Sequence, residues 1–270
     1  MSREGILLTV AYDGRDLCGW APQPGQRTAA GLLLEALRAM RPGVSGVRGA
    51  SRTDAGVHAR GQRVAFDTEP GISPRGWVLG TAAHLPRTIA VRRASRVAVG
   101  FEPRFRSRGK RYAYTLLCDA VRDPFHEGRS WRVRGGLSLE AMREEARAAL
   151  GTHDFAAFRS SADERVETTR TISRLDLDAD PRDPRLVRVV VEGSAFLHNM
   201  VRILVGTLVD VGQGRLARGA FARALDSRAR TDLGITAPPD GLCLEEVHLD
   251  DEGEDAFPSP ILDETGREGA

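Results

Sequence analysis

The order of hydrophobic patterns predicts an α+β protein. Two ferredoxin-like βαββαβ halves would join into one mainly antiparallel sheet, with helices packed on it and an active-site cleft between the halves. Two observations predict this. Residues 5–97 spell strand, helix, strand, strand, helix, strand. The same order returns between residues 109 and 250, with one helix inserted before the last strand. Neither half repeats the other's sequence, so only the pattern is shared. The predicted divisions are residues 1–107, residues 108–250 and an acidic, aperiodic tail at 251–270 read as flexible.

In chain order, Gly5 to Tyr12 alternates and is rich in aliphatics, which predicts a strand ended by the turn pair Asp13-Gly14. Thr28 is a candidate N-cap for a helix whose apolar positions Leu32, Leu33, Ala36, Leu37 and Met40 keep helical spacing up to Pro42-Gly43. Val44 to Ala50 and Val57 to Asp67 read as strands flanking a short loop. Ser73, followed by Pro74, opens a second helix to about His84, and Thr88 to Val97 is the fourth strand. In the second half Gly109 to Cys118 is a strand, and Ser138 caps a helix to about Leu150. His153 to Phe158 reads as a helical turn, and Thr169 to Asp178 pairs with Leu186 to Glu192. Leu197 to Val211 is a long apolar helix with Arg202 in its middle, Gly219 to Asp226 a shorter one, and Gly241 to Asp250 the last strand.

The 270 residues, 41% hydrophobic and 28% charged, have an ordinary soluble balance and suffice for a substantial core. No apolar run approaches the roughly 18 residues of a membrane span, and Met1 to Gly5 leads into a strand without a signal-peptide pattern, which predicts a cytoplasmic protein with no membrane partner. Cys18, Cys118 and Cys243 are far apart and odd in number, which suggests neither a disulfide framework nor a metal site. The histidines show no metal spacing, and no complete nucleotide-binding glycine loop occurs, so neither metal nor cofactor is expected. The overall charge of +2 conceals an asymmetry: residues 250–270 carry eight acids and one base, whereas residues 1–249 carry 38 bases and 29 acids. Such a basic body, with Lys110 its only lysine, allows a polyanionic partner.

Chemistry concentrates in three places. Gly49 to His58 packs a carboxylate, a guanidinium, two hydroxyls and a turn glycine between two strands, with Asp54 as the candidate catalytic group. Thr-Asp-x-Gly is equally the vocabulary of a plain turn. Arg202 lies on the most apolar helix and must snorkel, form a structural ion pair or meet a functional carboxylate, for which Asp54 is the candidate. Phe105 to Tyr114 interleaves basic and aromatic residues, the ingredients of a nucleic-acid surface or of an ordinary strand with a solvated edge. Alternation puts Tyr112 and Tyr114 on one face.

With these segments in register, the chain resembles the TruA family of tRNA pseudouridine synthases from about residue 5 to residue 249. The anchors are Tyr12-Asp13-Gly14 with Gly19-Trp20, Ser51 to His58, Arg111-Tyr112-x-Tyr114, Gly151-x-His153-Asp154-Phe155, Phe196 to Arg202 with Val205-Gly206, and Gly241-Leu242. The resemblance implies isomerisation of uridine to pseudouridine at tRNA positions 38 to 40, in the anticodon stem-loop. It implies a homodimer and no small-molecule cofactor. By the same resemblance Asp54 is the essential aspartate, Arg52 helps displace the target base, Tyr112 lies beneath the uracil, Arg202 pairs with the aspartate and Leu242 lines the pocket. Arg111 and Tyr114 are further candidates for substrate binding. Ala82-Ala83-His84 before Leu85-Pro86, Arg106 where a serine is usual, and the acidic tail depart from the family pattern. A noncatalytic RNA-binding protein on this scaffold, or a synthase of the family acting on other uridines, are the alternatives.

Overall fold

A computed structural model describes residues 2–257. Its contacts divide them into two compact units, residues 2–108 with 247–257 and residues 109–246.

In the first unit β1 (Glu4–Tyr12) is followed by α1 (Ala29–Met40), β2 (Arg48–Gly49), β3 (His58–Thr68), α2 (Pro74–Thr81) and β4 (Ile89–Val97). The predicted order is therefore present, although the strand expected over Val44 to Ala50 is only two residues long. β1 pairs antiparallel with β3 on one side, Leu8 opposite Val64, and with β4 on the other, Leu8 opposite Ala94. The helices start where their caps dictate. The Thr28 hydroxyl accepts from the Gly31 N–H at 3.2 Å and the Ser73 hydroxyl from the Gly76 N–H at 3.1 Å, each satisfying a donor that the first helical turn leaves unpaired. Leu33 and Leu37 of α1 are fully buried, and Trp77 of α2 meets Phe66 of β3 edge-on, ring centroids 4.9 Å apart.

The second unit runs β5 (Ser107–Cys118), β6 (Trp131–Val133), α3 (Leu139–Arg147), β7 (Gly151–Asp154), β8 (Thr169–Ala179), β9 (Leu186–Gly193), α4 (Met200–Gly212), α5 (Ala220–Ser227) and β10 (Leu242–Leu249), whose last residues count with the first unit. β5, β9, β8 and β7 pair antiparallel in that order, and β6 pairs parallel with β5. The class is α+β with mainly antiparallel strand pairing, as the pattern predicts. Three local readings need correction. β6 is an addition. The segment expected as a helical turn is strand as far as Asp154, with a single 3₁₀ turn only at Ala156–Phe158. And α4 begins at Met200 rather than Leu197, so Arg202 sits in its first turn, not its middle. Every residue of α4 except Arg202 is buried, which explains its mostly apolar composition.

The acidic tail is also corrected in part. Glu254–Phe257 forms β11, antiparallel to β4 with Glu254 opposite Arg96 and Phe257 opposite Ala94. Charge fixes it there. Glu252 pairs with Arg63 and Asp255 with Arg96, the Ser95 hydroxyl donates to the Glu252 carbonyl at 2.7 Å, and the Arg75 guanidinium lies 5.1 Å from the Phe257 ring centre. Arg106, the departure noted above, receives the Asp250 N–H on its carbonyl at 3.1 Å and holds the Asp250 carboxylate at 3.7 Å. The rest of the tail reading lies outside the described residues.

Candidate active site

In the first unit the loop after β2 is gripped residue by residue. The Ala50 N–H donates to the Arg63 carbonyl at 2.8 Å, continuing the β2–β3 ladder for one residue. Gln62, fully buried, then replaces the next strand residue. Its Oε1 accepts from the Ser51 N–H at 3.2 Å and its Nε2 donates to the Ser51 carbonyl at 2.7 Å. The Thr53 carbonyl accepts from the Trp20 N–H at 3.0 Å, and its hydroxyl shares a 2.7 Å hydrogen bond with the Tyr12 hydroxyl. The Val57 N–H closes a turn onto the Asp54 carbonyl at 3.2 Å, with Gly56 at φ +80°, a conformation glycine adopts without strain. A Cβ at Gly19, itself at φ +85°, would stand 2.6 Å from the Thr53 carbonyl oxygen, so only glycine permits this approach.

The outcome is a rigid backbone carrying a half-buried Asp54 side chain and an exposed Arg52. Beside it, Asp13 receives Arg15 in a 2.7 Å ion pair, and its carboxylate lies 3.3 Å from His58 Nδ1. Burial raises the Asp13 pKa, but the Arg15 hydrogen bonds, helped by the charges of His58 and Arg15, outweigh it and bring it down to about 2.

The other candidates belong to the second unit. Tyr112 is buried on β5 opposite Val191, its ring edge-on to Phe196 with centroids 5.3 Å apart. Leu242 is the buried first residue of β10. Arg202 is held from two sides: its Nε donates to the Ala237 carbonyl at 2.8 Å and its Nη1 to Asn199 Oδ1 at 2.8 Å. The backbone answers in kind, the Ala237 N–H donating to the Arg202 carbonyl at 3.0 Å.

The segment bearing Ala237 crosses α4 at Gly206, where a Cβ would stand 1.8 Å from the Ile235 carbonyl oxygen. It is bolted down by the Gly234 N–H on the Thr207 hydroxyl and the Ile235 N–H on the Asp210 carboxylate, both at 3.0 Å.

Two predicted substrate contacts have other employment. Tyr114 is fully buried, its hydroxyl donating to the Pro238 carbonyl at 2.7 Å and its ring edge-on to Trp131; burial pushes its pKa up. The packing leaves it no surface for a ligand, and it anchors the Ala237 segment instead. Arg111 bridges Glu192 at 3.3 Å and Glu246 at 3.0 Å, a cross-strand ion-pair role.

The sequence reading missed Gln62, Asn199 and Asp163. Asp163 is buried and accepts from the His198 N–H at 2.8 Å; the Arg165 guanidinium, bonded to both of its carboxylate oxygens, holds its carboxyl well below the usual range. Among the described residues no cluster of histidine, cysteine, aspartate or glutamate could hold a metal ion, no helix is long and apolar enough to cross a membrane, and the three cysteines form no disulfide.

Comparison with known proteins gives these two arrangements a class. A family model described as tRNA pseudouridine synthase matches residues 146–250, which include β8, β9, α4 and Leu242. The match marks a pseudouridine synthase, an isomerase. Proteins called tRNA pseudouridine synthase A are similar over almost the whole chain. The one from Geobacter sp. (strain M21) is 43% identical over 244 residues, 90% of this chain and 98% of its own. Those of Geobacter sulfurreducens and Myxococcus xanthus are 43% and 41% identical, covering 90% and 91% of this chain and 99% and 92% of their own. The chain belongs to the tRNA pseudouridine synthase A family.

Proposed function

We propose that this enzyme isomerises uridine to pseudouridine in the anticodon stem-loop of tRNA, at positions 38 to 40, with Asp54 as the essential carboxylate. It would do so in the cytoplasm, as a homodimer and without a cofactor. The observation that carries the proposal is the Asp54 loop: backbone groups of Ser51, Thr53, Asp54, Gly56 and Val57 are all hydrogen-bonded, so the loop presents the carboxylate from a pinned backbone.

The reaction breaks the N1–C1′ bond, turns the uracil and joins C5 to C1′. The C5 proton is lost and N1 gains one, so no atom is gained or lost overall. Asp54 can serve as nucleophile at C1′ or C6, or as base at C2′; all three need its ionised form, for which Arg202 is the proposed counter-charge. Tyr112, buried and edge-on to Phe196, presents a rigid ring for the base, and its hydroxyl is a candidate to take the C5 proton. Leu242 supplies apolar wall. Exposed Arg52 is suited to help bring the uridine out of its stack.

The deciding experiment is tritium release from 5-tritiated uridine in tRNA. Asp54→Asn should bind tRNA and keep its fold while losing at least about a thousandfold in release; turnover at the wild-type rate would remove Asp54 from the mechanism. Mapping pseudouridines in tRNA from cells with and without the gene checks positions 38 to 40.

A further inference from the structure

We infer that Asn199 is a positioning residue that aims the Arg202 guanidinium. The inference rests on the reading of Arg202 as the counter-charge of Asp54. Asn199 occupies the position just before α4, where a residue ordinarily has extended backbone and turns its side chain onto a free N–H of the first turn. Here it does neither. Its backbone is left-handed, φ 64° and ψ 1°, and its side chain makes no capping bond. The Oδ1 atom is spent on Arg202 Nη1 at 2.8 Å instead.

The turn that sets this geometry is itself pinned. The Asp163 carboxylate accepts the His198 N–H at 2.8 Å, and the Ser160 N–H donates to the His198 carbonyl at 3.0 Å, so the peptide groups on either side of His198 are both fixed. Leu197 is buried, and the Ile203 N–H closes the first helical bond onto the Asn199 carbonyl at 2.9 Å.

Glycine would meet the left-handed requirement at no steric cost. Asparagine is the rarer solution, because it tolerates that conformation and also carries an acceptor. Opposite it, the Ala237 carbonyl takes Arg202 Nε, so the guanidinium plane is held by two acceptors from separate segments of the second unit. The helix forgoes a cap, and the residue that would have supplied it orients a cation.

The test uses the full-length protein with Asn199→Gly, which keeps the backbone and deletes the acceptor, and Asn199→Asp, which keeps both. Arg202→Ala serves as the control. Steady-state tritium release on a tRNA transcript and thermal unfolding are measured for each. Asn199→Gly is expected to lower kcat about tenfold, with KM within about twofold and the unfolding midpoint unchanged, and Asn199→Asp to recover most of kcat. A wild-type kcat in Asn199→Gly, a loss that tracks the unfolding midpoint, a rise in KM at constant kcat, or an aspartate variant no better than the glycine variant would each overturn the positioning role. Wild-type turnover by Arg202→Ala would instead overturn the reading of Arg202 on which it rests.

Discussion

Asp54 is held by residues that do no chemistry. Tyr12, Trp20 and Gln62 fix the backbone before it, the Gly56 N–H on the Leu17 carbonyl fixes it after, and Asp13 with Arg15 and His58 forms a buttress at the base of the loop. The buttress has a pH signature. Asp13 has its folded pKa lowered from 3.8 to about 2, so its ionised form stabilises the fold above about pH 4, and that contribution is lost as the pH falls towards 2. Arg15→Ala removes the principal lowering contact. The acid limb of a plot of thermal midpoint against pH should then begin at higher pH than in the wild type, with little change at neutral pH. The sequence carried half of this arrangement. Thr53 and Gly56 were legible as shapers of the loop, because turn chemistry is local, and both act so, one through its hydroxyl and one through its positive φ. Gln62 was illegible: a polar residue within an apolar strand acquires meaning only when the Ser51 peptide stands beside it, eleven positions away in the chain.

At the scale of elements, α4 and the segment crossing it behave as one device. Gly206 allows the crossing, Thr207 and Asp210 fasten it, and Ala237 and Pro238 then receive Arg202 and Tyr114. Gly206→Ala sets a methyl against the Ile235 carbonyl and should lift the segment away from the helix. The expected cost is about 1–3 kcal/mol of stability, read by urea unfolding, together with a fall in kcat as Arg202 loses its Ala237 acceptor. The helix itself was legible from its apolar run, but its start was not. Leu197 extends the hydrophobic pattern while the left-handed Asn199 interrupts the backbone, and pattern reports burial rather than φ. The strand β7 was missed for a related reason: its four residues are exposed or half-buried, so no alternation marks them.

Over the whole molecule, the α+β class and the order of elements followed from periodicity and turn residues, whereas Tyr114 and Arg111 show where periodicity stops being informative. Both lie on β5 within the stretch read as basic and aromatic surface, yet one is sealed in the core and the other is paired with two glutamates. Alternation places a side chain on a face; it does not say what covers that face. The acidic segment after β10 was likewise illegible as structure, since its residues carry no period. Its order comes from arginines distributed along the first unit, Arg63 and Arg96 among them. β11 occupies the outer side of β4, whose other neighbour is β1. Without it, β4 would offer a row of unpaired peptide groups to any passing strand, including the same row on another copy of the chain. Where it covers Ala94 to Arg96, the segment closes that row to a second strand. A chain ending at Asp250 should retain the fold of both units but scatter progressively more light as its concentration rises, under conditions where the full-length protein does not.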